Sequence, residues 1–258
     1  MASEHTLEGH PTSESLDSPV KAKVAIVTGA SRGIGLGIAE RLLETGYRVV
    51  ANSRNITQAK ALQPRDRLRL VDGDIGNNNV AKQVVDSAIS LYGRVDLLVN
   101  NAGVFIPKPF TEYTTEDFRR ASETNLWGFF YISQFAASQM RLQKSGHIIN
   151  ITSSIVDQPV AGLTGSLVNL TKGGLQSVTR ALAIEFARDG VRFNAISPGV
   201  VNTPMHQAEA HAFLKQLSPL NRLAEIGEVV DLVQFLESAP FINGEVIHLD
   251  GGAHAGKW

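Results

Sequence analysis

Short apolar runs alternate along this chain with longer segments whose apolar residues recur at helical spacing. Lys23–Thr28, Arg48–Asn52, Leu68–Val71, Val95–Val99, His147–Ile151, Val191–Ile196 and Glu245–Leu249 are short and mostly β-branched or apolar. Each reads as a buried strand. Between them, Ile34, Ile38 and Leu42 carry a helical repeat stopped at Gly46, and Val80, Val84, Ala88 and Leu91 another stopped at Gly93. A long helix is predicted from Thr114/Thr115 toward Met140, a further one through Leu170–Phe186 ending at Gly190, and one around Val229–Leu236. Strands that alternate with helices need right-handed crossovers, which bury a parallel sheet on both faces. The expected fold is therefore α/β: a single-domain, doubly wound parallel sheet over residues 21–258. The 258 residues suffice for one such core.

Composition narrows the chemistry. With 24 Lys+Arg against 25 Asp+Glu, the chain lacks the basic footprint of a nucleic-acid binder. It has no cysteine, which excludes disulfides, thiolate nucleophiles and Cys-ligated metals. Its seven histidines form no HExxH or His/carboxylate pattern, so no metal site is expected; His147 and His248 fall on strands as core or edge residues. Residues 1–20 hold Glu4, Glu8, Glu14 and Asp17 but no Lys or Arg. They read as a disordered acidic tail rather than a secretory or mitochondrial leader. No window is long and apolar enough to cross a membrane. A cytoplasmic protein is the expectation.

The first strand runs into Thr28-Gly29-Ala30-Ser31-Arg32-Gly33-Ile34-Gly35, which opens a helix. Glycines there let the backbone turn tightly and approach a pyrophosphate, whose charge suits the helix N-terminus. Six further motifs close successive elements: Asp74-Ile75, Asn100-Asn101-Ala102-Gly103, Asn125, Ser154 with Lys172, Ser197-Pro198-Gly199 with Val201 and Thr203, and Asp250-Gly251-Gly252. Over roughly residues 21–252 the chain resembles the short-chain dehydrogenase/reductase family. That resemblance implies a Rossmann-like seven-stranded sheet ordered 3-2-1-4-5-6-7. It also implies a nicotinamide cofactor, a small carbonyl or alcohol substrate, and a homotetramer built through the long helix and the helix carrying Lys172.

The cofactor expected is NADP(H). An NAD site places Asp or Glu after strand two, yet no acid lies between Glu44 and Asp66. Ser53 stands at that place, followed by Arg54, which can pair a 2′-phosphate; Arg32 adds a second positive charge. The cofactor-binding set is thus Gly29, Ser31, Arg32, Gly33, Ile34, Gly35, Ser53, Arg54, Asp74, Ile75, Asn101, Ala102, Gly103, Lys172, Pro198, Gly199, Val201 and Thr203.

By resemblance, Ser154 steadies the substrate oxygen, Lys172 holds the nicotinamide ribose, and Asn125 positions a relay water. The family's general acid is a tyrosine four residues before the lysine. Val168 occupies that place, and the four tyrosines, Tyr47, Tyr92, Tyr113 and Tyr131, all precede it. Losing a positioned acid costs about 10²–10⁴ in rate. Ser154 directly, Lys172 through a water, or Tyr113, His206 or Thr164 are the replacements to weigh. The alternative is a non-catalytic NADP(H)-binding homologue, a sensor or partner subunit. A changed reaction fits less well, because halohydrin dehalogenases resemble the family but lose the nucleotide loop and keep the tyrosine. An engineered change at position 168 is a further option, though Asn169-Leu170 also departs from the small residues usual there. The Val200–Leu220 stretch, with Met205, Phe213, Leu214 and Leu217, holds the family's substrate-loop position and suggests an apolar or mixed substrate. Trp127, Phe129, Phe130 and Tyr131 read as packing, in the core or between subunits.

Overall fold

The computed structural model describes residues 22–63, 65–206 and 208–257. The acidic tail expected over residues 1–20 lies outside the described residues. Seven strands form one sheet: β1 (Val24–Thr28), β2 (Arg48–Ser53), β3 (Leu68–Asp72), β4 (Leu97–Asn100), β5 (Gly146–Ile151), β6 (Val191–Pro198) and β7 (Val246–Leu249). Every strand pairing is parallel, as the alternation of strands and helices predicts, and the order is 3-2-1-4-5-6-7, as the family resemblance implies.

Among the described residues seven α-helices accompany them: α1 (Gly33–Glu44), α2 (Asn78–Tyr92), α3 (Thr115–Ala121), α4 (Gly128–Gln143), α5 (Ser166–Glu185), α6 (His211–Lys215) and α7 (Ile226–Ser238). The period of two in β1 sends Ala25 and Val27 to one face, where they join Ile38 and Leu42 of α1 and Val229 and Val233 of α7. Val24 and Ile26 go to the other, against Val84 and Ala88 of α2 and Ile132 and Met140 of α4. Burial on both faces is why β1 reads as a continuous apolar run.

Several boundaries differ from expectation. β4 starts at Leu97 rather than Val95, because the Val95 amide donates to Gln143 Oε1 at 2.9 Å, outside the ladder. The Asp96 side chain meanwhile accepts from the Val24 amide at 2.8 Å. β6 runs on to Pro198, since Ser197 and Pro198 pair with His248 and Leu249. The long helix begins where predicted, with Thr114 and Asp117 forming a capping box, but a π-helical turn at Ser122–Trp127 divides it into α3 and α4. α5 ends at Glu185, and a single 3-10 turn, Ala187–Asp189, intervenes before Gly190.

His147 is a core residue, 2% exposed. Its Nε2 lies 2.9 Å from Asn194 Nδ2, which leaves Nδ1 to carry the proton toward Glu237 Oε1 at 2.7 Å. No helix among the described residues is long and apolar enough to cross a membrane.

Candidate active site

Every motif singled out in the sequence, apart from Asn125 and Lys172, lies at or just beyond the C-terminal end of a strand, where open parallel sheets bind ligands. The loop after β1 is built by close approach. Gly29 and Gly33 hold φ of +66° and +58°, a region side chains rarely adopt. A Cβ on Gly29 would stand 2.9 Å from Ala102 Cα, and one on Gly35 would meet Asn101 Nδ2 and lie 2.5 Å from Gly29 O. Asn101 braces this cradle: Nδ2 donates to Thr28 O at 3.0 Å and Gly29 O at 3.3 Å. Thr28 Oγ1 in turn accepts from the amides of Asn101 and Ala102. Asn101, expected to touch the cofactor, is engaged in bracing the loop after β1.

Ser31 lies in the loop itself, and Arg32 is the extended N-cap residue of α1. Ser53 ends β2, and Arg54 is exposed just beyond it. Neither arginine forms an ion pair among the described residues. The loop lies against this strand end, with the Ala30 amide donating to Asn52 O at 3.0 Å. Asp74 is exposed, its Oδ1 taking the Gly76 amide, while Ile75 is buried beneath. Across the cradle, Thr203 lies 3.5 Å from where a Gly33 Cβ would be, and Val201 is buried and bridged to Ala224. Pro198 ends β6 and Gly199 donates to Leu249 O at 3.0 Å. Tight glycines, a helix N-terminus and two free cations fit a phosphorylated dinucleotide.

Asn125 sits in the π-helical turn and is 2% exposed; such turns often mark functional sites. Its Oδ1 accepts from the Val104 amide at 2.9 Å, and Nδ2 donates to Val104 O and to Thr171 Oγ1. Both amide hydrogens are thereby used, binding the loop after β4 to α5. A relay water would meet only the remaining acceptor capacity of Asn125. On α5, Lys172 Nζ donates to Thr152 O at 3.0 Å and Ile151 O at 3.3 Å. Burial pushes its pKa down to about 8. Lys172 Nζ and Asn125 Oδ1 lie 3.5 and 3.4 Å from the point a Cβ on Gly103 would occupy. Both border a small enclosed cavity shared with Thr28, Asn100 and Ile151.

Ser154 is buried and opens a 3-10 turn, Ser154–Val156. Val168, 4% exposed, lies in the first turn of α5, with Cγ1 3.5 Å from a Cβ position on Gly165 that Phe105 and Ile155 also approach. Of the other donors considered, Tyr113 gives its hydroxyl to Ile106 O at 2.7 Å, and Thr164 is exposed in a loop. His206 is shifted down by burial and by His211 and lies beyond Thr203. The sequence reading missed Thr171, whose hydroxyl links Asn125 to the carbonyl of Leu167.

A doubly wound sheet with this cradle and a buried Asn–Lys corner defines a dinucleotide-binding protein of Rossmann type. A family model described as enoyl-(acyl carrier protein) reductase matches residues 29–254, and the chain belongs to the short-chain dehydrogenase/reductase family. It is 34% identical over 251 residues to 2,3-dihydroxy-2,3-dihydro-p-cumate dehydrogenase of Pseudomonas putida, covering 91% of this chain and 95% of that one. Among solved structures it is similar to ElxO with NADP bound, at TM-score 0.84 and 27% identity over 91% of this chain and 100% of that one. A tyrosine-to-phenylalanine variant of ElxO with NADPH bound matches equally well, at TM-score 0.84 and 27% identity, with the same coverage. A 3-ketoacyl-(acyl carrier protein) reductase of Brucella melitensis complexed with NADH matches at TM-score 0.84 and 29% identity, over 91% of this chain and 99% of that one.

Proposed function

We infer that this chain is an NADP(H)-dependent oxidoreductase acting on a carbonyl or alcohol, with Lys172 acting through a water, or Ser154, in place of a tyrosine acid. The carrying observation is the Lys172 amine: held at about 8, 3.0 Å from Thr152 O and bordering the same point as Asn125. A pKa near the working pH suits a group that must both give and regain a proton. Two of its three hydrogens are engaged by carbonyls, and the third is available to a water. When bound, the nicotinamide supplies or receives hydride. Ser154 orients the substrate oxygen, and the apolar side chains of Phe105, Ile155 and Val168 keep bulk water from it.

NADP(H) rather than NAD(H) is supported by Arg54 and Arg32, exposed beside a strand end without a carboxylate. The similar proteins are named as partners of NADP, NADPH or NADH, so the preference rests on this chain's own charges. In ElxO, the tyrosine-to-phenylalanine variant is seen with NADPH, consistent with nucleotide binding that does not need the phenol oxygen. A homotetramer is supported by Trp127, Phe130, Leu170 and Ile184, large apolar residues exposed on the π-turn, α4 and α5.

The second reading, a non-catalytic NADP(H) binder, is favoured by the apolar packing of Val168 where the family's acid stands. A ketone panel with NADPH, run on wild type and Lys172→Ala, tests the two. Turnover in wild type that falls at least ~10²-fold in the variant supports the enzyme; equal background in both supports the binder.

A further inference from the structure

Parallel strands are joined by crossovers, which are usually helical. In this sheet α1 joins β1 to β2, α2 joins β3 to β4, and helices likewise precede β5, β6 and β7. The connection from β2 to β3 is the exception: among its described residues it is a run of turns without a helix. It begins with Arg54, the cation set against a 2′-phosphate. Ile56 and Leu62, 0% and 3% exposed, anchor the segment in the core beside α1. Apolar anchors hold a segment down without orienting it, because the hydrophobic effect is non-directional. The direction of the Arg54 turn has to come from hydrogen bonds.

Asp72 supplies them. It ends β3 and is the register partner of Ser53, which ends β2. Its Oδ1 accepts from the Thr57 amide at 3.0 Å, and its Oδ2 accepts from the Thr57 hydroxyl. The base beneath is braced as well. The Gly73 amide donates to Ser53 O at 3.1 Å, and Asn52 Nδ2 donates to Val71 O at 3.0 Å and Gly73 O at 3.2 Å. Residues 54–57 are thus tied at both ends to the paired ends of β2 and β3, by the chain at Ser53 and by the carboxylate at Thr57. The Thr57 hydroxyl and amide, with the Ile56 amide, hold the Asp72 carboxyl below the usual carboxylate range. Both of its oxygens are spent on Thr57 rather than on Arg54.

We propose that Asp72 and Thr57 are positioning residues that fix the Arg54 turn and thereby set the preference for a nucleotide bearing a 2′-phosphate. This rests on the NADP(H) reading above. The sign of the effect separates the clamp from simple charge. Deleting Asp72 removes a negative charge from the strand end beside Ser53, which by Coulomb's law alone raises affinity for a phosphate. Losing the clamp lowers it, because Arg54 is then no longer held in place.

Calorimetry of NADPH and NADH on the full chain tests this, with wild type, Asp72→Ala, Thr57→Val and Thr57→Ser. Asp72→Ala should bind NADPH ~10-fold more weakly. Thr57→Val, which keeps the amide bond, should move the same way by a smaller factor, and Thr57→Ser should behave as wild type. Unchanged NADH affinity and a cooperative thermal melt serve as proof of folding. In an Arg54→Ala background, Asp72→Ala should cost no further NADPH affinity, because the turn then has no cation to place. NADPH bound by Asp72→Ala as tightly as by wild type, or more tightly, overturns the proposal and leaves the NADP(H) reading standing. So does a loss shared by NADH, or one that persists without Arg54, since either marks a general loosening of the site. Equal affinity of wild type for the two nucleotides overturns the NADP(H) reading and the clamp with it.

Discussion

Lys172 Nζ donates to the carbonyl oxygen of Thr152 at 3.0 Å, tying α5 to the end of β5. Burial holds this amine at about 8, against 10.5 for an ordinary lysine. Below pH 8 both folded and unfolded chains carry the proton, and the folded one bears the cost of a buried charge. Between 8 and 10.5 the unfolded chain alone keeps it, so stability rises with pH through that window. The rise is of order 3 kcal/mol. Urea unfolding at several pH values should show this increment in wild type and not in Lys172→Met, other titrations being common to both. Parallel curves would contradict it.

Arg54 stands exposed just past β2 with no acid beside it. Arg54→Glu replaces an attractive partner for a 2′-phosphate by a repelling one. Charge-assisted hydrogen bonds contribute about 1.5–3 kcal/mol, so NADPH affinity should fall ~10–100-fold. NADH affinity should change far less. Calorimetry with both nucleotides checks the contrast.

Gly35 and Gly227 make a matched pair. A Cβ on Gly35 strikes Asn101 Nδ2 and comes 2.5 Å from Gly29 O, whereas one on Gly227 in α7 meets nothing within 4 Å. Gly35→Ala should lose about 1–3 kcal/mol and most nucleotide binding. Gly227→Ala should be neutral or stabilising by up to about 1 kcal/mol. Thermal melts with and without NADPH distinguish them.

Glu237 joins α7 to β5 and to the turn before β2 through His147 at 2.7 Å and Tyr47 at 2.7 Å. Burial raises its pKa, but the His147 and Tyr47 bonds and the Lys23 charge outweigh that and hold it at about 2. Its contribution is therefore complete above about 4.5 and is lost as pH falls toward 2. Glu237→Gln should be less stable than wild type at pH 7, with the gap narrowing below about pH 4.5 and closing only near pH 2. A gap independent of pH would assign the loss to packing instead.

The sheet is legible in the sequence because its strands are buried on both faces, so the runs Lys23–Thr28 and Val95–Val99 announce β1 and β4 by local composition, though not their exact ends. The glycine loop is legible for the same reason: Gly29 and Gly33 satisfy a backbone requirement that belongs to their own positions. Contacts made across the fold are not. Nothing near Asn101 in sequence shows that its amide bonds Thr28 and Gly29, some seventy residues away. The same holds for Thr171 meeting Asn125. The π-helical turn leaves only a faint trace, the five-residue step from Ala121 to Leu126 where the apolar residues on either side are three apart.

The pH dependence of NADPH-driven ketone reduction by wild type tests the central claim most directly. With Lys172 supplying the proton, kcat should be level below pH 8 and fall as pH rises through about 8, and Lys172→Ala should lose ~10²-fold or more. No turnover by wild type, with activity appearing only in Val168→Tyr, would contradict the account and mark the chain as a nucleotide binder that has given up catalysis.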